Sequence, residues 1–253
     1  MNSDFNLKGV SWKKVIALVL CLTMLVPSSS VFAAGKSSTP KVQVYADMKA
    51  STSGNAYALV KGGTYEYTGK VIKPEVTVVS LETSKKISSK YYTVKYGTYD
   101  AKGSFTASSP KNVGHYYGKI TFKGKYKKVV PQVIFELYIS PKTVELKSVN
   151  ATGKDKCATV KWTRQAKANV TKYEVGYSHF GTFAKDQHIN ECWYGTKTAK
   201  NTASSLKIKG YYPVNYYVRV RAYKTVKYYS PYGSQYKETI YSDWSSAKKV
   251  KLK

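Results

Sequence analysis

Residues 215–223 read Asn-Tyr-Tyr-Val-Arg-Val-Arg-Ala-Tyr, NYYVRVRAY, in a chain whose formal net charge is +28. A period of two puts Tyr216, Val218, Val220 and Ala222 on one side and Tyr217, Arg219, Arg221 and Tyr223 on the other. The first side is apolar and the second carries the charge, the pattern of an antiparallel strand with one dry and one wet face. Arg219 and Arg221 are therefore expected to face water, with Trp244 of the last strand lying over an arginine as a cation–π stack. Tyr216 belongs to the dry face, so its hydroxyl needs a backbone partner.

The same alternation recurs along the chain. KVQVY, PEVTVV, YYTVKY, YGKITF and VIFELYI precede residue 140; CATVKW, KYEVGY, SLKIK, NYYVRVRAY and KKVKLK follow it. Gly, Pro, Ser and Asn cluster between these runs, and no segment past the N-terminus keeps helical spacing over ten residues. Many short strands with regular turn signals predict an all-β chain of the sandwich or barrel class. Ile139-Ser-Pro-Lys142 is the best boundary, since a strand ends there at a proline and a new alternating run begins.

The second half resembles a fibronectin type III domain of the kind found in secreted proteins of Gram-positive bacteria. The resemblance is carried by Val160-x-Trp162, Tyr173-x-Val175-x-Tyr177, Tyr216-x-Val218-x-Val220-x-Ala222 and Tyr241-Ser-Asp-Trp-Ser245. Val214 departs from it, standing where the family usually turns on a glycine. The first half resembles a bacterial Ig-like repeat through Tyr65-x-Tyr-Thr-Gly-Lys-x-Ile-Lys-Pro74, Tyr92-x-Val-x-Tyr96, Asn112-Val-Gly-His-Tyr116 and Phe122-Lys-Gly-Lys-Tyr126. An insertion near Thr98 to Ser109 departs from that repeat. Together these imply two tandem antiparallel β-sandwich domains, Ig-like over 41–140 and fibronectin type III over 141–253. The resemblance also makes Lys224 to Ile240 the loop between the last two strands, a common recognition site in the family.

At the N-terminus, Lys8, Lys13 and Lys14 precede the uncharged run Val15 to Val26, which is followed by Val31-Phe-Ala33. This is the pattern of a secretory signal peptide, residues 1–33, and the run is shorter than the roughly 20 apolar residues of a membrane span. Residues 34–40 are expected to be a disordered leader. Removing Lys8, Lys13, Lys14 and Asp4 leaves about +26 on the exported chain. No later apolar run or sorting motif suggests an anchor, so a secreted, wall-associated protein without stable membrane insertion is expected. The basic residues are spread from Lys36 to Lys253, whereas a nucleic-acid footprint requires clustering, and no nucleic-acid-binding motif is present. Diffuse positive charge favours polyanions, which outside such a cell are teichoic acids and other wall polymers. Glycans, and host or bacterial surface proteins, are the other expected partners.

Candidate binding residues lie in the Lys224–Ile240 connection. Tyr228, Tyr229, Tyr232 and Tyr236 stand there among Ser, Gly and Pro, with Lys227 and Lys237 beside them. Tyrosine among small flexible residues is the composition of binding loops, and such rings also suit sugar stacking. The competing reading is an extended hairpin whose tyrosines cover one another. Trp162, in its Val-x-Trp context, reads as core. Cys157 and Cys192 are a candidate disulfide, which export permits but spacing alone does not establish. His115, His179 and His188 lie apart, and His188 to Cys192 with Asp186 lacks the paired spacing of a zinc site. Neither a catalytic constellation, a metal site nor a cofactor motif is expected. The exported chain should begin at Ala34; N-terminal sequencing of secreted material that starts within Val15 to Val26, or at Met1, contradicts this reading.

Overall fold

The ten alternating runs all lie in strands, and the reason is visible in how their apolar sides are buried. A computed structural model describes residues 41–46, 56–60, 64–127, 132–153, 155–181, 183 and 194–253. The expected signal peptide and leader, and the segment holding His188 and Cys192, lie outside the described residues. Among the described residues there are sixteen strands and three short 3₁₀ turns, with no α-helix. They belong to one compact unit, Ser37–Lys253.

In the first half, β1 (Lys41–Ala46), β2 (Ala56–Val60) and β4 (Glu75–Ser80) make one sheet in the order β2-β1-β4. The facing strands are β5 (Tyr92–Tyr99), β7 (Gly114–Phe122), β8 (Val133–Ser140) and β3 (Thr64–Glu66), in the order β5-β7-β8-β3. Val42, Val44, Val78, Ile120 and Leu137, all fully buried, fill the space between the two sheets with Tyr65, Tyr96 and Phe135. Tyr96 closes its polar end by donating to the Pro74 carbonyl at 2.9 Å. Burial pushes the Tyr65 phenol up to about 12.

In the second half, β13 (Ser205–Lys209), β10 (Cys157–Trp162) and β9 (Leu146–Thr152) face β12 (Tyr194–Lys200), β11 (Lys172–Ser178) and β14 (Asn215–Tyr229). β15 (Gln235–Tyr241) and β16 (Lys248–Lys251) both pair with β14. Trp162, Tyr173, Tyr216, Val218 and Val220 form the centre of this second core. Tyr216, Val218, Val220 and Ala222 are at most 1% exposed, while Tyr217, Arg219, Arg221 and Tyr223 are half-buried, so NYYVRVRAY divides by parity. The chain is thus an all-β, sandwich-like fold.

Two ladders depart from an antiparallel plan. β1 runs parallel to β4, and β3 runs parallel to β8. Parallel neighbours need a crossover between them, and the short β3 provides it: the chain leaves the β2-β1-β4 sheet, adds three residues to the opposite one, and returns as β4. The turn at Tyr211–Val214 manages without glycine because none of its residues has a positive φ. It is held from inside, since the Tyr216 hydroxyl accepts the amides of Tyr211 at 2.9 Å and Tyr212 at 3.3 Å.

The insertion of the first half folds as a hairpin. β6 (Phe105–Ala107) pairs back on β5, and the Asp100 carboxylate accepts the amides of Lys102 and Ser104 at 2.9 and 2.8 Å. Strand parity yields a direct test on neighbouring residues. Val218→Asp places an unpaired carboxylate in the core and is expected to cost several kcal/mol. Arg219→Ser, one residue along, is expected to cost about 1 kcal/mol or less. Urea melts of the two variants check this, and equal losses contradict the assignment.

Candidate functional site

Two constellations contain the residues singled out in the sequence, and both are built on β14. On the wet face of its first half, aromatic rings and guanidinium groups alternate. The Arg221 guanidinium lies 3.8 Å from the Tyr241 ring and 4.3 Å from that of Trp244; Arg219 lies 4.3 Å from Trp244 and 4.0 Å from Phe183. Arg221 is further held by the Glu174 carboxylate across the β11–β14 ladder, with Nε donating at 2.7 Å and Nη2 at 2.6 Å.

Trp244 points outward because the serines on either side of it point inward. The amides of Ser242 and Ser245 donate to the carbonyls of Ala222 and Val220, each at 2.9 Å. Their hydroxyls accept the amides of the same two residues, each at 3.0 Å. The serine side chains replace the carbonyls that a regular strand would present to β14, so both buried amides of β14 are satisfied. Each cation–π contact in a setting this open contributes about 0.5–1 kcal/mol. The faces of both guanidinium groups are covered by rings, and Glu174 takes the edge of Arg221, while the buried Nε of Arg219 has no hydrogen-bond partner among the described residues.

The Lys224–Ile240 segment is a two-stranded ribbon, the extended hairpin that is one of the two readings of its composition. β14 continues to Tyr229 and β15 begins at Gln235, leaving only Ser230–Ser234 as the turn. Tyr228 lies opposite Tyr236 with their rings stacked at 5.6 Å. On its other side Tyr228 stacks on His115 of β7, with ring centroids 3.8 Å apart and planes 20° apart. His115 is enclosed further by Tyr117 and Tyr138, each edge-on at 4.6 Å. Tyr229 pairs with Tyr99, the one register position at which β14 joins β5. Of the six candidate residues, Tyr228 and Tyr229 are thus engaged by the first half. Tyr232 remains 94% exposed and Tyr236 50%. Lys227 and Lys237 are exposed and directly opposite each other on the ribbon.

The ribbon tip rests on the insertion hairpin through backbone contact. A Cβ at Gly103 would stand 2.6 Å from the Pro231 carbonyl oxygen, and one at Gly233 would stand 2.5 Å from that of Ala101. Both glycines have positive φ, +71° and +80°, so geometry and proximity each call for the missing side chain. The Lys224 ammonium completes the junction by donating to the Val113 carbonyl at 2.9 Å, and burial lowers its pKa. Composition alone concealed this arrangement. The available signal was the insertion at 98–109, whose length departed from the resemblance, and His115 in the Asn112–Tyr116 motif.

Cys157 is buried on β10 with its thiol 3.3 Å from the Asp155 carbonyl, while Cys192, its proposed partner, lies outside the described residues. The described residues contain no group of three or more His, Cys, Asp or Glu side chains able to hold a metal. No described helix is long and apolar enough to cross a membrane. No protein-family model matches the chain, and no curated protein matches it. Among solved structures it is similar to chicken CNTN1 FN1–FN3 domains, at 14% identity and a TM-score of 0.32. The match covers 76% of this chain and 65% of that one.

A second titratable group beside the junction is Glu136. The His115 imidazole, whose Nε2 is 3.8 Å from the carboxylate, and the Tyr138 hydroxyl, donating at 2.8 Å, hold it below its ordinary value of 4.5 against the opposing effect of burial. A depressed carboxylate contributes stability above its unfolded pKa and loses it as pH falls through the folded one. The melting temperature of the wild type should therefore fall more steeply than that of Glu136→Gln on acidification below about pH 4.5. Parallel curves from pH 7 to 3 contradict a stabilising role for this contact.

Proposed function

We propose that this chain is a non-catalytic binding or spacer module working outside the cell, retained on anionic wall polymers by its basic charge. It comprises two sandwich modules that meet between Ser140 and Leu146 and are tied together by the β14–β15 ribbon. The ribbon's seat on the first half is the observation that carries this reading. A hairpin that spends Tyr228, Tyr229 and Lys224 on its own chain serves to hold two modules in a set orientation, as a spacer or presenting unit requires. The large basic excess supplies a long-range attraction to wall phosphates that needs no shaped pocket.

A second reading, a carbohydrate-binding module accessory to an enzyme on another chain, is favoured by one observation, the nearly complete exposure of Tyr232 beside half-exposed Tyr236. Salt separates the two. Charge retention weakens as the Debye length falls from about 10 Å at 0.1 M to about 3 Å at 1 M, whereas ring stacking on a neutral sugar is not screened. Protein bound to purified wall is expected to wash off below about 0.5 M salt, and to bind poorly to wall stripped of its anionic polymers. Retention at 1 M, with abrupt loss in Tyr232→Ala, replaces the first reading with the second. Absence of binding to either wall preparation at low salt leaves only the spacer role.

A further inference from the structure

The lysines look evenly spread in sequence, but the fold collects a group of them at one end of the first sandwich. The β5–β7 register pairs Tyr92 with Phe122, which brings the 3₁₀ turn Ser89–Tyr91 beside the 3₁₀ turn Gly124–Tyr126. The Lys123 amide donates to the Tyr91 carbonyl at 2.7 Å, locking the two turns together. Their rings meet edge to face at 5.2 Å. The Lys90 ammonium stands 5.0 Å from the Tyr91 ring, and that of Lys125 stands 5.5 Å from Tyr91 and 5.0 Å from Tyr126.

Lys85 and Lys86 arrive at the same end from the other sheet. The Ser80 amide at the tip of β4 donates to the Lys85 carbonyl, Lys86 bridges to Val79, and the Tyr92 hydroxyl reaches back to the Val76 carbonyl at 3.0 Å. Together with Lys123 and Lys127, six exposed lysines share this end. The acidic side chain on the 81–86 turn, Glu82, accepts the Ser80 hydroxyl at 3.5 Å.

We infer that this lysine–tyrosine end is the docking surface for a polyol-phosphate polymer strand. The inference rests on the wall-retention reading and gives it an address, in place of attraction distributed over the whole surface. Lysine ammoniums are compact point charges without the planar fork that selects one carboxylate or phosphate, so six on neighbouring turns suit a repeated charge better than a single anion. Their mutual repulsion falls when phosphates come between them. Tyr91 and Tyr126, half-buried between the ammoniums, offer apolar surface to the C–H groups that separate successive phosphates.

The test uses the exported chain and purified poly(glycerol phosphate), with neutral dextran and a single-stranded polydeoxythymidine of matched charge beside it. Dissociation constants are measured against salt for the wild type, for Lys90→Gln combined with Lys125→Gln, and for Lys207→Gln combined with Lys209→Gln. The last pair is exposed on β13 of the other sandwich. For a flexible polyanion each phosphate contact contributes about 0.7 to the salt slope, so the Lys90/Lys125 variant should lose about 1.4 and the Lys207/Lys209 variant little. Arginine at positions 90 and 125 should restore the slope, which separates lost charge from lost folding. Equal losses in the two glutamine variants overturn the docking surface while leaving charge retention in place. Failure of the wild type to bind at the lowest salt overturns both. Equal affinity for polydeoxythymidine overturns the assignment of a polyol phosphate as the partner.

Discussion

Everything in this chain leans on the length of one strand. β14 runs for fifteen residues and changes both its partners and its role along the way. From Asn215 to Ala222 it is an inner strand, with β11 on one side and, on the other, β16 as far as Val218 and then Ser245 and Ser242, and alternate residues are sealed in the second core. From Tyr223 onward the alternation stops, because the strand has left that core and pairs with β15 in a two-stranded ribbon. A ribbon of this kind is marginal in water without something to pack on. The first sandwich supplies the surface: His115 under Tyr228, Tyr99 beside Tyr229, and the Asp100–Ser104 turn under the tip.

The junction is consequently of mixed chemistry. Val113, which precedes β7, is 2% exposed and belongs to the second core, so apolar packing passes between the halves. Around it are directed contacts. The Tyr67 hydroxyl donates to the Lys167 carbonyl at 3.1 Å, and Glu66 accepts both the amide and the hydroxyl of Thr143 at 3.2 Å. Hydrogen bonds of this type contribute about 1 kcal/mol each, and aromatic pairs such as His115–Tyr228 a similar amount beyond the area they bury. No single contact is strong, but they are spread over three segments of the first half. A hinge motion at Ser140–Leu146 has to break them together.

The strands were legible wherever one face is dry. Ten alternating runs coincide with strands because burial on one side forces a period of two on the residues. β2, β3, β6, β9, β12 and β15 lie outside those runs; for β6, β12 and β15 the reason is complementary, since most of their residues are exposed and leave little apolar periodicity to read. The composition of the 224–240 segment suits a binding loop and an extended hairpin alike, because composition does not reveal a distant partner. Tyr228 and His115 are brought together by tertiary packing alone, and the spacing of neither announces the other. The parity of NYYVRVRAY, by contrast, is a local property, and it held all the information needed to place Arg219 and Arg221 on the outer face.

The basic residues follow a similar division. The arginines of β14 are the most enclosed cations: Arg219 and Arg221 are sandwiched between rings, and Arg221 also meets Glu174. Arginine suits such places because its flat, weakly hydrated guanidinium stacks and forks at once. Lysines dominate the exterior, where a strongly hydrated ammonium is cheap to expose, and in places they face one another, as Lys227 does Lys237. Like charges directly opposite on a ribbon are mildly destabilising, and a chain at +28 carries that repulsion over its whole surface. The packing tolerates this because neither core contains a charged side chain. Fold stability rests on the stacked arginines, on Lys224 and on the apolar side chains, while most of the other lysines stand exposed.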